Sequence, residues 1–480
     1  MWKSVFAIIL AAAWAAPSEA QEADLRSHVE AALSHAAPGT RFGLVVVDDQ
    51  GRDIITINPD QRFMPASTTK MFTTAAAFAT LGDVTEPDTS GGAAVRLEGD
   101  DVVLIGHGDA RLSSADDCTV DCLSTLADAV AAKTKTVRTI TGDDTLFPDE
   151  RWSPGMSWNN IPTRSGTGIS ALTLDDNELV VTVRPATNGA APRVSLPPYY
   201  TLENRAVTVE GGSTDLGFDR APNGFTLRLT GTIGTSVAHP ERLRIAIDDP
   251  ARYAAWRFRQ MLKARGVKVT GKIAVRHRAL TATDDPARRG AAPPVRPPVS
   301  LVLAQLTPAP LIDDLAIINK HSQNLHAELL LRRIGLAHGS GSIADGLVAV
   351  RAVLAGAGVP RASYDFSDGS GMSTYNRVAP RAAVLLLRWI ARQSWGAAWR
   401  QTLPVGGTDG TLARRFVGTS LERKVFGKTG SLNATAALSG YMISKRGKTL
   451  TFALYANDVP DGASATPAMD IALELVASAN

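Results

Sequence analysis

The sequence has few of the residues that build metal centres. It contains two cysteines, Cys118 and Cys122, and eight histidines in 480 residues. No second cysteine pair accompanies the stretch "CTVDC", and the nearest histidine, His107, does not stand at the spacing of a zinc ligand. These absences argue against zinc-finger and cysteine-rich metal domains. We therefore expect no metal and no organic cofactor.

A strong charge of one sign is also lacking. Fifty lysines and arginines face 47 aspartates and glutamates, and the formal net charge is +3. No charge run or RNA-binding motif accompanies this balance, so the sequence gives no reason to expect a nucleic-acid partner. The composition, 44% hydrophobic and 20% charged, is typical of a globular protein. The length is sufficient for two or three domains.

Long apolar runs are missing except at the N-terminus, which reads "MWKSVFAIILAAAWAAPSEAQ". Lys3 precedes an apolar run from Val5 to about Ala16, and small residues follow a proline. This pattern predicts a secretory signal peptide over residues 1–20, cut between Ala20 and Gln21. The alternative is a membrane anchor, but the run is shorter than the ~20 residues of a spanning helix. We expect an exported, periplasmic protein without a transmembrane anchor.

Export changes how the two cysteines are interpreted. An exported chain meets an oxidising compartment, where a disulfide between Cys118 and Cys122 is the natural interpretation. Two free thiols are the alternative. The disulfide would hold a loop and carry no chemistry.

The order of patterns along the chain predicts a split α/β (α+β) domain. A β-hairpin over Phe42–Val47 and Asp53–Asn58 precedes a helix over Ser67–Leu81. Short β-type runs separated by Gly, Pro, Asn and Asp fill residues 90–275. The last third is helical before it ends in two strands and a helix. The predicted parts are the signal peptide, 1–20, an α/β domain split over 21–88 and 291–480, and a β-rich insertion, 89–290.

The first candidate site lies in "PASTTKMFTT", where Ser67 and Lys70 stand three residues apart at a helix start. Residues at this spacing share one face of a helix and reach each other. A lysine whose pKa is lowered by burial can take the proton of a serine nucleophile. The helix N-terminus would favour a developing oxyanion. The alternative is an ordinary serine N-cap followed by a surface lysine.

Two further candidates follow in the last third of the chain. Ser322 and Asn324, in "HSQNLHAE", fall between two helical patterns, where both side chains can point into one cleft. A helix cap is the alternative there as well. The stretch "KTGS", Lys428 to Ser431, leads into a β-rich run, so a lysine and a hydroxyl on a strand can hold a carboxylate. A glycine at position 430 would let a substrate lie close to the backbone.

Two other groups of residues receive no catalytic role from the sequence. His321 and His326 flank the Ser322 stretch without an acidic residue at an obvious partner spacing. Asp368, Ser370 and Asn376 belong to a Gly-rich loop that forms either a wall of the cleft or a tight structural turn. Neither alternative is favoured by the sequence, so these residues stay outside the predicted site.

Taken together and in this order, the three stretches resemble the S-x-x-K, S-D-N and K-T-G motifs of serine β-lactamases and penicillin-binding proteins. Lys70 and Ser322 are separated by about 250 residues, which leaves room for an inserted domain. This spacing is similar to that of the S13 peptidases, the D-alanyl-D-alanine carboxypeptidase/endopeptidases of the low-molecular-mass class C penicillin-binding proteins. One departure is Gln323, which replaces the commoner aspartate. Further stretches similar to this family are "GHGDARL", "ALTLDDNELVVTVRP", "NKHSQNLHAELLLRRIG", "DFSDGSGMSTYNRVAP" and "LPVGGTDGTLARR".

The resemblance implies a penicillin-binding-protein transpeptidase-like fold with a large β-rich insertion between the first and second motifs. It also implies a periplasmic serine hydrolase that cleaves the D-Ala-D-Ala bond of peptidoglycan stem peptides and cross-links in the cell wall. In this interpretation Ser67 is the nucleophile, Lys70 its base, and Ser322 passes a proton to the leaving amine. The residues expected to bind substrate are Asn324, Lys428, Thr429, Gly430 and Ser431. β-Lactam antibiotics would act as covalent inhibitors.

Two other functions stay open at this point. An exported β-lactamase or esterase on the same fold would release the antibiotic quickly, although such enzymes do not need a large insertion. A catalytically silent wall-binding protein would keep the fold without the reaction. The intact Ser67, Lys70 and Lys428 argue against that second alternative.

Overall fold

The structure is a computed structural model that describes residues 19–298 and 301–480. The predicted signal peptide lies outside the described residues except for Glu19 and Ala20. The helices of the described chain are α1 (Glu19–Leu33), α2 (Thr69–Thr80), α3 (Leu123–Lys133), α4 (Pro250–Ala264), α5 (Pro286–Arg289), α6 (Leu311–Lys320), α7 (Asn324–His338), α8 (Ile343–Gly356), α9 (Pro380–Ile390), α10 (Gly396–Gln401) and α11 (Thr466–Ala479).

The strands alternate with these helices at both ends of the chain and fill its middle. They are β1 (Arg41–Val47), β2 (Asp53–Ile57), β3 (Ala94–Glu98), β4 (Asp101–Ile105), β5 (Thr136–Val137), β6 (Ile140–Pro148), β7 (Glu178–Arg184), β8 (Arg193–Ser195), β9 (Thr201–Asn204), β10 (Val207–Val209), β11 (Thr214–Asp219), β12 (Thr226–Gly234), β13 (Glu241–Ala246), β14 (Lys268–Val269), β15 (Ile273–Arg278), β16 (Ala304–Gln305), β17 (Tyr364–Asp365), β18 (Arg377–Val378), β19 (Val425–Leu432), β20 (Thr435–Ile443) and β21 (Thr449–Asn457).

A five-stranded antiparallel sheet joins the two ends of the chain in the order β19-β20-β21-β1-β2. Successive side chains of a strand point to opposite faces of a sheet, and β1 shows this directly. Val45 and Val47 enter the core formed with α2 and α6 to α9, whereas Leu44 and Val46 enter the core formed with α1 and α11. The predicted hairpin and the predicted C-terminal strands are confirmed, and they form one sheet.

The helix that carries the first candidate site is buried in the larger of these two cores. The prediction placed an α-helix over Ser67–Leu81, but a 3-10 turn, Ala66–Thr68, comes first and α2 begins only at Thr69. Every residue of α2 from Thr69 to Phe78 is buried. Gly82 follows its end with φ +75°, a left-handed conformation that glycine adopts without strain.

Most of the strands between α2 and α6 form a separate group of sheets with a core of their own. A mixed five-stranded sheet has the order β15-β6-β4-β3-β16, and a four-stranded sheet and a three-stranded sheet stand beside it. The core of this group runs from Ala93 to Leu306 and includes α3 and α4. We call this region the insertion. Strand β16 completes its sheet although it follows residue 290, the predicted boundary.

The insertion packs against α7, the helix that begins at Asn324. Leu325 and Leu329 of α7 share a small apolar cluster with Ala110, Phe147 and Ala171 of the insertion. Because α7 carries a candidate site residue at its first position, this contact places the insertion beside the site. Among the described residues, no helix is long and apolar enough to cross a bilayer.

Candidate active site

Ser67 lies on the 3-10 turn that precedes α2, and the turn is conformationally strained. Ala66, directly before it, has φ +47°, in the left-handed region that non-glycine residues rarely adopt. Ser67 does not cap the helix, because the capping positions of the turn and of α2 are Pro65 and Thr68 and neither has a side-chain cap bond. Its Oγ instead accepts a hydrogen bond from Lys70 Nζ at 2.9 Å. The helix-cap alternative is therefore wrong here.

Lys70 is completely buried on the first turn of α2 and is held by three oxygen atoms. Its Nζ donates to Ser67 Oγ, to Asn324 Oδ1 at 2.7 Å and to the Ser370 carbonyl at 2.6 Å. Burial lowers the pKa of Lys70 to about 7, although the carboxylates of Asp368 and Glu328 act in the opposite direction. A lysine with this pKa exists in both protonation states at neutral pH, as a general base requires.

Ser322 and Asn324 come from the connection between α6 and α7. Ser322 has φ +59°, a second left-handed residue at the site, and its Oγ accepts from Lys428 Nζ at 2.9 Å. Asn324 is the first residue of α7, and both the oxygen and the nitrogen of its side-chain amide form hydrogen bonds. Its Oδ1 accepts from Lys70, and its Nδ2 donates to the carbonyl of Ser165 in the insertion at 3.1 Å. The amide thus links the base to the insertion.

Lys428 stands on β19 and is also completely buried. Besides the bond to Ser322, its Nζ donates to the Thr429 carbonyl at 2.9 Å. Burial lowers the pKa of Lys428 well below its usual value, and the charge of Lys70 lowers it further. The Thr429 hydroxyl donates to Thr411 Oγ1 at 2.7 Å.

Gly430, on β19, and Gly371, in the Gly-rich loop, both lie against the backbone of the turn that carries Ser67. A Cβ on Gly430 would lie 2.5 Å from the Pro65 carbonyl oxygen and 3.1 Å from the Ser67 nitrogen. A Cβ on Gly371, which has φ +89°, would lie 1.9 Å from the Ala66 carbonyl oxygen. Both positions therefore need glycine so that β19 and the Gly-rich loop can approach the backbone at Ser67. Ser431 follows Gly430 directly and has an exposed side chain.

The Gly-rich loop is both a tight turn and a wall of the site. The Asp368 carboxylate accepts from the backbone N–H groups of Gly371, at 2.9 Å, and Ser373, at 2.6 Å, and from Asn376 Nδ2 at 2.6 Å. Ser370 then brings its carbonyl to Lys70. The sequence left these two interpretations open, and the structure combines them.

The structure also pairs residues that the sequence analysis missed. His326 is buried between Asp314, on α6, and Asp176, in the insertion, and it bonds to both. Burial alone would lower the pKa of His326, but the two carboxylates raise it to about 10. No local pattern predicted this contact, because Asp176 is separated from His326 by 150 residues.

Three remaining features complete the description of the site. The structure joins Cys118 and Cys122 in a disulfide in the insertion. Among residues 19–298 and 301–480, no group of three or more His, Cys, Asp or Glu side chains is arranged to hold a metal ion. A small cavity beside Lys70 is shared by the insertion and the catalytic helices, and its lining includes Trp152, Met156, Asn324, Ser370 and Met372.

Comparison with known proteins places the whole described architecture in one family. The model of the D-Ala-D-Ala carboxypeptidase 3 (S13) family matches residues 25–479. A D-alanyl-D-alanine carboxypeptidase of Actinomadura sp. (strain R39) is 34% identical over 463 residues, which cover 92% of this chain and 82% of the relative. The agreement spans both the catalytic elements and the insertion.

Solved structures show the same fold. The crystal structure of penicillin binding protein 4 (dacB) from Haemophilus influenzae matches with a TM-score of 0.78 at 22% identity and covers 92% of this chain and 97% of its own. The structure of that protein complexed with a β-lactam matches with a TM-score of 0.70, also at 22% identity and with the same two coverages. The predicted fold class, a penicillin-binding-protein fold with a large insertion, is thereby confirmed.

Proposed function

The chain belongs to the D-Ala-D-Ala carboxypeptidase 3 (S13) family and is a serine-type carboxypeptidase, and we propose that its acyl-enzyme forms on Ser67. The substrate is the D-Ala-D-Ala end of a peptidoglycan stem peptide. One observation carries the assignment of the nucleophile. Lys70 Nζ donates to Ser67 Oγ at 2.9 Å, and the pKa of Lys70 is lowered to about 7.

The first step forms a bond from Ser67 Oγ to the carbonyl carbon of the penultimate D-Ala. Lys70 accepts the proton of the hydroxyl, which it can do in its neutral form. The carbonyl oxygen becomes an oxyanion, and we assign its two donors to the backbone N–H groups of Ser67 and Ser431. The close approach of Gly430 to the Ser67 nitrogen supports this pairing. Loss of one donor of this type costs ~10²–10³ in rate.

In the second part of the step the C–N bond to the terminal D-Ala breaks. Ser322 supplies a proton to the leaving amine and receives in exchange the proton that Lys70 took from Ser67, while Lys428, 2.9 Å from Ser322 Oγ, tunes this transfer. Lys70 is thereby neutral again. Lys428 and the Thr429 hydroxyl bind the terminal carboxylate, since both stand on β19 beside the nucleophile. Asn324 holds Lys70 and contacts the amide of the substrate. Water then hydrolyses the ester on Ser67, with Lys70 again as the base.

The same site supports three further assignments. A β-lactam resembles the D-Ala-D-Ala end and acylates Ser67, as the β-lactam complex of the Haemophilus influenzae protein suggests. A D-Ala bond in a cross-link between two stem peptides is chemically equivalent, so the enzyme also acts as an endopeptidase. Because the substrate lies in the cell wall, the enzyme works in the periplasm after removal of residues 1–20.

We also propose the division of the chain into a split catalytic domain and an inserted domain. The two cores that flank the five-stranded sheet take their residues from before residue 85 and after residue 311. The core of the insertion takes its residues from between Ala93 and Leu306. These separate cores support an insertion that starts near residue 89 and continues beyond residue 290, up to Leu306.

The test combines two substrates with one variant. The mature protein is incubated with penicillin and with a stem peptide ending in D-Ala-D-Ala, and adduct mass and released D-Ala are measured. We expect a covalent adduct mapped to Ser67 and release of D-Ala. S67A loses both, whereas S213A, a matched change at an exposed serine of the insertion, keeps both. An adduct on another residue, or none, refutes the assignment.

The lifetime of the penicillin adduct separates a carboxypeptidase from a β-lactamase on the same fold. A carboxypeptidase stays acylated for long, because its deacylation is adapted to its own peptide. Rapid turnover of penicillin without release of D-Ala from the stem peptide would favour the β-lactamase alternative.

A further inference from the structure

Glu328 is a buried carboxylate near the site to which the mechanism above gives no task. It lies on α7, one helical turn after Asn324, and only 5% of its surface is exposed. Its Oε1 accepts from two successive backbone N–H groups of the Gly-rich loop, that of Gly369 at 3.0 Å and that of Ser370 at 2.9 Å. Its Oε2 accepts from Arg332 at 2.7 Å.

The two bonds to the loop fix the backbone that leads to one partner of Lys70. When the N–H groups of Gly369 and Ser370 point at one carboxylate oxygen, the backbone between them cannot rotate freely. The next peptide group carries the Ser370 carbonyl, which accepts from Lys70 Nζ at 2.6 Å, and its N–H, that of Gly371, donates to Asp368 at 2.9 Å. Residues four apart on a helix lie on one face, so Asn324 and Glu328 both face the site from α7. Asn324 bonds to Lys70 directly, whereas Glu328 acts on Lys70 through the Gly-rich loop.

We propose that Glu328 is a positioning residue for Lys70: together with Asp368 it holds the backbone that presents the Ser370 carbonyl to the ammonium group, and it supplies a built-in negative charge for that group. The proposal rests on the proposed function, in which Lys70 is the base for Ser67. The task of Glu328 is distinct from those of Ser67, Lys70 and Ser322, which exchange the protons of the reaction. Glu328 acts through the loop and through its charge.

The charges around Lys70 predict the direction in which its pKa shifts when the charge of Glu328 is removed. Asp368 and Glu328 favour the protonated form of Lys70, whereas Lys428 on β19 repels it. Removal of the Glu328 charge should therefore lower the pKa of Lys70 below about 7. The base would then stay neutral, and active, at a lower pH than in the wild-type enzyme.

A pair of variants separates this charge from simple loss of an ion pair. E328Q removes the charge and keeps an oxygen acceptor for the loop. R332Q breaks the same ion pair but leaves the carboxylate in place. E30Q, a matched change at an exposed glutamate of α1, is the control. The measurement is the second-order rate constant of Ser67 acylation by penicillin across a pH series.

We expect the pH at which acylation falls to half of its plateau to move down in E328Q by about one unit or more, because two unit charges within about 12 Å shift each other's pKa by at least about one unit at an effective dielectric constant of about 20. In R332Q it should stay at the wild-type value or move up, and in E30Q it should not change. An unchanged midpoint in E328Q overturns the proposal, as does an equal downward shift in R332Q.

Removing one partner of a buried ion pair can destabilise the fold, so the experiment also includes a double variant in which both partners are replaced. The double variant E328Q with R332M leaves no unpaired buried charge, and its midpoint should also lie below the wild-type value. A midpoint at or above that value overturns the proposal. Failure of the proposed function is distinguishable, because then even the wild-type enzyme forms no adduct on Ser67.

Discussion

Two buried lysine–serine pairs stand side by side in this molecule and differ in their surrounding charge. Lys70 contacts Ser67, Lys428 contacts Ser322, and the Nζ–Oγ distance is 2.9 Å in both. Both lysines are completely buried. Two carboxylates, Asp368 and Glu328, act on Lys70, whereas Lys428 bonds only to neutral oxygens and is repelled by Lys70.

The two lysines differ in the source of their counter-charge. Lys70 has anions supplied by the protein, so its pKa falls only to about 7 and it can take up and release a proton at neutral pH. Among the described residues, no carboxylate forms an ion pair with Lys428. In the proposed function its counter-charge comes with the substrate, from the terminal carboxylate of a D-Ala-D-Ala peptide.

The largest effect is expected from K70M, which breaks the first pair. Without the base, acylation of Ser67 should fall by about 10²–10⁴ for every substrate, whether or not it carries a carboxylate. The readout is the rate of adduct formation with penicillin and with an uncharged ester, measured by mass spectrometry. Acylation of K70M at more than a tenth of the wild-type rate would show that another group removes the proton.

A smaller effect, and a selective one, is expected from K428M. With a substrate that ends in a free carboxylate, kcat/KM should fall by about 10- to 100-fold, the contribution of a hydrogen bond to a charged group. With an ester that lacks the carboxylate, the loss should be much smaller. Steady-state kinetics with the two substrates measure the ratio. Equal losses for both would mean that the two lysines do not divide their tasks as proposed.

The pH dependence of acylation by the wild-type enzyme tests the pKa of Lys70 without any mutation. Lys70 must be neutral to accept a proton, so acylation should decline as the pH falls through about 7 and decrease about tenfold per unit below it. The carboxylate of penicillin stays ionised between pH 8 and 6, where the rate is to be measured. A flat profile in this range would contradict a base with this pKa.

The smallest effect is expected from a substitution of Thr411, which contacts Thr429, the residue next to Lys428. Its Oγ1 accepts from the Thr429 hydroxyl at 2.7 Å and so fixes that hydroxyl on β19. T411V removes this partner and should raise KM for a carboxylate substrate by about threefold, in line with the ~0.5–1.5 kcal/mol of one neutral hydrogen bond. A fall in kcat at unchanged KM would point to a different role.

Local patterns in the sequence predicted which residues lie together at the candidate site. Ser67 and Lys70 stand three residues apart, and Lys428 to Ser431 share a strand, so spacing predicted that the members of each group would lie close together. The β-rich runs at the two ends of the chain predicted the hairpin of β1 and β2 and the C-terminal strands. Even so, the α-helix was expected to begin at Ser67, because the strained 3-10 turn at Ala66–Thr68 leaves no signal in the sequence.

The contacts that tune the site could not be predicted in the same way. Glu328 is unremarkable as a residue of an amphipathic helix until the Gly-rich loop, about 40 residues later, folds against it. His326 was given no acidic partner, and it has two. Such pairs depend on packing between segments far apart in the sequence, for which periodicity and spacing carry no information.

The bond between Asn324 and Ser165 bears on how far this enzyme can be shortened or rearranged. Asn324 Nδ2 donates to a carbonyl of the insertion at 3.1 Å, while Oδ1 of the same amide holds the base. Excising residues 89–306 would thus leave the amide that orients Lys70 free to turn, and would expose the apolar face of Leu325 and Leu329. For protein engineering, the insertion belongs to the minimal catalytic unit, and deletions around residue 165 should be tolerated as poorly as changes in the three motifs.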